Sequence, residues 1–160
     1  MPTGTRQGRQ AYQPPGGWRL DPEAAQAPKR VARLYYQFKT GHAPTAEYLH
    51  RIGARGSPRC GECSDGHETV AHLLFNCRQW RRQREALFKA LDEAKVIRPG
   101  PTEEAPEARL FADRKATKAL LEYIGAITAQ RSEQQAAEEA LRADCWGIEA
   151  MEEGDREGEG

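Results

Sequence analysis

The chain has 160 residues, enough for one domain with tails, and a mean hydropathy of −0.84 with 30% charged residues is low for a globule packed along its whole length. No apolar run approaches the ~18 residues of a membrane-spanning helix, and the first residues lack the apolar core of a signal peptide. A formal net charge of zero hides an asymmetry: residues 28–98 carry fourteen basic and seven acidic side chains, whereas residues 99–160 carry seven basic and fifteen acidic ones.

Residues 1–27 hold Pro14-Pro15-Gly16-Gly17 and few large apolar groups, so the segment is predicted to be a disordered linker. Pro28 suits the first turn of a helix, and Val31, Leu34, Tyr35 and Phe38 then follow at the spacing of one apolar helix face, with Gly41 placed to end it. A second short helix is expected from the N-cap Thr45 to just before Gly53, with Tyr48, Leu49 and Ile52 as its buried stripe. Arg55-Gly56-Ser57-Pro58 is a turn that delivers the chain to Cys60. A helical stretch is expected over Glu68–Cys77, and another from Arg78 to about Lys95, with Trp80, Leu87, Phe88 and Leu91 on its apolar side. Arg98-Pro99-Gly100-Pro101 breaks that helix, and residues 99–108 read as a connector. Leu110, Phe111, Leu120, Leu121, Ile124 and Ile127 mark one or two appended helices within 109–143. Residues 144–160 read as an acidic, disordered tail. The fold class is therefore mostly α: a small helical module over 28–98 stapled by Cys60, Cys63, His72 and Cys77, whose C-x2-C-x8-H-x4-C spacing suits a zinc ion, with appended helices and disordered termini.

The zinc expectation comes from C-x2-C-x8-H-x4-C, formed by Cys60, Cys63, His72 and Cys77. Without a secretory signal, such cysteines read as thiols or metal ligands rather than a disulfide framework. Four Cys or His ligands are what a structural zinc ion takes, and Gly61 with Ser64-Asp65-Gly66 supplies turn residues around the first pair. Five positions separate His72 from Cys77, more than one helical turn, so Cys77 should sit where its helix frays or ends. His67 is a competing ligand; His72 is favoured because its helix brings Cys77 along. His42 and His50 are read as exposed or locally hydrogen-bonded, and Cys145 as a plain thiol. A four-ligand site leaves no position for an activated water, and neither a deaminase order of His and Cys nor a βαβ redox setting is present in the sequence. The chain is accordingly read as lacking enzyme activity.

The basic middle block has the electrostatic footprint of a polyanion binder. Arg55, Arg59, Arg78, Arg81, Arg82 and Arg84 are the candidates for contacts to RNA or DNA phosphates, since guanidinium groups grip phosphate without reading sequence. Trp80, in their midst, is read as core rather than a base-stacking platform. The acidic third is a candidate for contact with the basic block in cis. The expected location is intracellular, with the nucleus as a candidate compartment.

Several stretches together carry a resemblance: Tyr35-Tyr-Gln-Phe-Lys-Thr-Gly-His42, Tyr48-Leu-His-Arg-Ile-Gly53, Cys60-x2-Cys63, Glu68-Thr-Val-Ala-His72-Leu-Leu-Phe-x-Cys77 and Trp80-Arg81. They resemble the C-terminal region of LINE-type (non-LTR) retrotransposon reverse transcriptases, fungal ones above all, where a CCHC zinc knuckle follows the polymerase and RNase H domains. Leu110–Leu121 is similar to the segment that trails this knuckle. The resemblance covers roughly residues 29–130 and implies zinc on the same four residues and engagement of RNA or target DNA. The eight-residue second gap differs from the four of retroviral nucleocapsid knuckles, and Phe111-Ala112-Asp113 continues with Arg114 rather than a second Asp. The chain thus reads as a remnant of such an element's last domain, without its catalytic carboxylates.

Overall fold

The computed structural model describes residues 20–152, with side chains to residue 142. Among these residues there are helices, turns and a single isolated bridge between Arg59 and His67, but no strand. No described helix is long and apolar enough to cross a membrane.

Helix α1 (Pro22–Gln26) lies inside the segment expected to be linker. Asp21 caps it by accepting from the Glu23 amide at 3.0 Å, and Pro22 occupies the first turn. That start signal is local, but the helix persists because its flank is buried. Ala24 is 2% exposed, Thr117 Oγ1 donates to Asp21 Oδ2 at 3.0 Å, and the same hydroxyl lies 3.3 Å from the Tyr35 hydroxyl. This chain of polar groups ties the first, second and last helices together. The rest of the N-terminal segment, residues 1–19, lies outside the described residues.

Helix α2 (Lys29–Thr40) follows Pro28 and stops at Gly41, whose φ of 74° is left-handed. Gly41 N donates to Phe38 O at 3.3 Å and His42 N to Gln37 O at 2.9 Å, the paired bonds of a Schellman stop. Tyr35 is fully buried, while Val31, Leu34 and Phe38 pack partly buried against the core, as the apolar spacing requires. Helix α3 (Ala46–Arg51) is capped by the Thr45 side chain. Its stripe differs from expectation: Ala46 is the fully buried residue and Ile52 is 57% exposed. A helix of six residues docks end-on through its first turn, so its last residues point away from the core.

After the cysteine loop, a 3₁₀ turn (Arg78–Trp80) precedes helix α4 (Arg81–Glu93). Trp80, Leu87 and Leu91 are buried, and Phe88 packs partly buried beneath the Arg98 guanidinium. Helix α5 (Pro106–Ala112) begins inside the expected connector, because Pro106 and Glu107 are a helix-start pair. A second 3₁₀ turn (Arg114–Ala116), capped by Asp113, leads into helix α6 (Thr117–Glu152).

The first third of α6 supplies Leu120, Tyr123, Ile124 and Ile127 to a core shared with Tyr35, Leu73, Trp80, Leu87, Leu91 and Leu110. Each large apolar side chain buried this way contributes roughly 1.5–3 kcal/mol. Residues 133–142 of α6 are mostly exposed, Leu141 at 66%. Residues 144–152, expected in the tail, continue this helix, because a helix already nucleated by its packed part adds residues at little further cost. Residues 153–160 lie outside the described residues.

Candidate metal centre

The centre is built by a tight loop and a widened helical turn. The Arg59–His67 bridge closes the loop at its base. Inside it, Cys60 N donates to Gly66 O and Ser64 N to Cys60 O, both at 3.0 Å, while the Asp65 amide points at Cys63 Sγ at 3.3 Å. Gly66, at φ 75°, closes the turn in a conformation that side chains resist.

The second pair of ligands depends on a departure from α geometry. Thr69 Oγ1 accepts from His72 N at 3.0 Å, and residues His72–Asn76 form a π turn in which Cys77 N donates to His72 O at 2.7 Å. In an α-helix two residues five positions apart diverge by about 140° around the axis. The wider π turn brings the fifth residue back beneath the first, and Cys77 then leaves the turn in an extended conformation. His72 and Cys77 therefore face the loop together.

Cys60, Cys63, His72 and Cys77 are all buried, and one ligand atom from each lies within 4.8 Å of every other. Cys60 Sγ and Cys77 Sγ are 3.9 Å apart, and Cys63 Sγ is 3.3 Å from His72 Nε2. A zinc tetrahedron with bonds of ~2.0–2.3 Å has edges of about 3.3–3.8 Å, so the donor set and its spacing fit zinc. His67 is exposed and is not among the four. His42 and His50 are also exposed, with ring nitrogens on Thr40 Oγ1 and the Arg55 carbonyl.

Burial pushes the Cys77 thiol up to about 12 and raises Cys60 as well. At Cys63 burial also pushes upward, but the Asp65 amide and the neighbouring thiols outweigh it and the net shift is downward. Burial lowers His72, which favours the neutral, ligating imidazole. Three buried thiols beside a neutral imidazole form a site whose natural complement is a divalent cation: bound zinc replaces the thiol protons and stabilises the thiolates.

Residues 23–82 match the family described as zinc-binding in reverse transcriptase. The match runs from α1 into the first turn of α4 and contains all four candidate ligands. Neither the curated proteins nor the solved structures contain a significant match. Zinc is thus the cofactor indicated by both the family and the donor geometry.

Around this zinc-binding region the structure places supports that sequence spacing did not single out. Glu68 is 4% exposed; its Oε1 accepts from the Ala46 amide at 3.1 Å, capping α3, and its Oε2 accepts from Arg131 Nη2 at 3.1 Å and lies 3.7 Å from Cys60 Sγ. Arg131 also pairs with Glu62 at 3.2 Å and lies over the Trp80 ring, 5.5 Å from its centroid. One cation from α6 thereby holds two acidic side chains of the ligand region, Glu62 and Glu68. The Tyr123 hydroxyl donates to the Leu73 carbonyl in the π turn, and burial raises this phenol's pKa, keeping it a donor. The only local hint of Glu68 was a charged residue directly before an apolar run; Arg131 left none, since it lies 63 positions from its partner.

The six arginines divide. Arg84 donates to the carbonyls of Leu74 (3.2 Å) and Cys77, satisfying acceptors that the π turn leaves open, so its guanidinium is structural. Arg78 donates to Cys63 O at 3.0 Å and pairs with Asp65 at 3.3 Å, although most of its side chain is exposed. Arg81 pairs with Glu85 on the exposed face of α4. Arg55, Arg59 and Arg82 are exposed and pair with no carboxylate among the described residues. Trp80 is fully buried, as core.

Proposed function

We propose that this chain is the nucleic-acid-engaging zinc region of a LINE-type (non-LTR) retrotransposon reverse transcriptase of fungal type, a CCHC knuckle that grips the phosphate backbone of RNA or DNA. The observation that carries the reading is the family match over residues 23–82, centred on the four converging ligands. Arg55, Arg59 and Arg82 are the phosphate contacts, helped by the exposed parts of Arg78 and Arg81, while Arg84 donates to two main-chain carbonyls. The zinc is structural, because four protein ligands close the tetrahedron and leave no site for a reacting water. The region positions nucleic acid and does no chemistry on it. In a retroelement such a role is exercised on RNA or on nuclear DNA. The acidic third, net −8 over residues 99–160, competes in cis for the same arginines.

The test is fluorescence anisotropy of the zinc-loaded chain with single-stranded RNA and DNA over a salt series. The logarithm of affinity should fall linearly with that of salt, and replacing Arg55, Arg59 and Arg82 together by Ala should reduce the slope by about 2, at ~0.7 for each phosphate no longer neutralised. Absent or salt-independent binding would overturn this reading and leave a zinc-stabilised protein-interaction module in its place.

A further inference from the structure

Ile52 follows the last turn of α3 and stands in solvent, 57% exposed, although its spacing from Tyr48 and Leu49 suits a buried stripe. The chain that carries it is braced. Ile52 N donates to Tyr48 O at 3.2 Å and Gly53 N to His50 O at 3.0 Å, while the Leu49 carbonyl accepts from the amides of Ala54 (2.8 Å) and Arg55 (3.2 Å). Gly53 turns the chain at φ 78°, in the left-handed region that side chains resist. The His50 ring closes the turn, with Nδ1 3.1 Å from the Arg55 carbonyl. An apolar side chain is thus mounted on a firmly bonded tip.

The surroundings of that tip are cationic. From Tyr48 to Gly61 the sequence holds Arg51, Arg55 and Arg59 and no acidic residue. All three are exposed, and none pairs with a carboxylate among the described residues. Arg51 lies over the Tyr48 ring, 5.4 Å from its centroid, and the Arg55 guanidinium lies beside Gly61, which joins the tip to the cysteine loop. Ile97, 80% exposed, has a different setting: the arginine that follows it, Arg98, is paired with Asp92.

A partner that matches this tip offers negative charge beside a flat apolar surface, as phosphates do beside the faces of bases. We propose that Ile52 is a wedge that packs on the terminal base pair where a nucleic-acid duplex opens into single strand, with Arg51 and Arg55 on the flanking phosphates. Burying one isoleucine gains no more than opening an intact base step costs, so the side chain settles where a stacking face is already free. The wedge rests on the proposed grip on phosphate and adds to it the form of nucleic acid preferred, which phosphate contacts alone do not select.

The test uses the full zinc-loaded chain and two labelled RNAs, an oligouridine and a hairpin that carries the same oligouridine as an overhang. Ile52→Ala should weaken binding of the hairpin junction ~10-fold and leave oligouridine affinity unchanged. A variant that binds both RNAs as the wild type does, or weakens both alike, overturns the wedge and leaves the phosphate reading intact. Absence of binding to either RNA overturns both. A second measurement needs no variant: 2-aminopurine, placed as the first unpaired base of the overhang, should brighten when the wild-type chain binds, because Ile52 displaces it from the terminal pair. Binding without that brightening overturns the wedge.

Discussion

At the scale of single residues, Glu68 and Arg131 connect the metal loop to the rest of the chain. Glu68 places a carboxylate 3.7 Å from Cys60 Sγ, where two negative groups would repel, and the arrangement holds because Arg131 and the Ala46 amide each take one of its oxygens. Glu68→Gln keeps the shape but weakens the pull on Arg131, so the denaturant midpoint should fall by the equivalent of about 1 kcal/mol. Arg131→Ala should cost about 1–3 kcal/mol of stability in denaturant melts, because it leaves Glu68 buried and without a counter-charge. Arg131→Lys should recover only part of that: an ammonium is a point charge and does not reproduce a guanidinium lying over Trp80 while serving Glu62 and Glu68.

At the scale of elements, α6 matters more than its sequence suggests. Its first third fills the core between α2 and α4, and Tyr123 from the same stretch holds the π turn on which His72 sits. A chain cut after residue 98 would lack Leu110, Phe111, Leu120, Ile124 and Ile127, and would uncover Tyr35, Leu73 and Trp80. Such a fragment is expected to show helical circular dichroism without a cooperative melt and to bind hydrophobic dye, even when zinc is added. A fragment 1–98 with a sharp melt and dispersed NMR signals would show that the cysteine loop and the first helices suffice alone.

For the whole molecule, zinc and the apolar core are two separate fastenings that meet at Leu73, Leu74 and Trp80. These residues are buried beside the ligands Cys60 and Cys77 in one cluster with α6. Native mass spectrometry should find one zinc per chain. On chelation, hydrogen exchange should rise first over residues 58–80, whose fold relies on the four ligands and a few loop hydrogen bonds, and later in α2 and α6. Simultaneous release of all segments would mean that the metal supports the entire core.

Much of this molecule could be read locally. The four ligands, the Gly41 stop, the Thr45 cap and the apolar face of α2 are short-range patterns, since helix caps and metal-ligand spacing act over a few residues. Even α1 was written in Asp21-Pro22, although a polar, proline-rich neighbourhood hid it. The tertiary structure alone decided what depends on distant partners: that Ala24 is core, that Arg84 donates to the carbonyls beside the ligand Cys77, and that Arg131 reaches back 63 positions to Glu68. It also decided the π turn, because only convergence on the distant Cys60–Cys63 loop gives His72 and Cys77 a reason to leave α geometry. Hydrogen bonds and charges find their partners in space, and sequence separation carries no record of that distance.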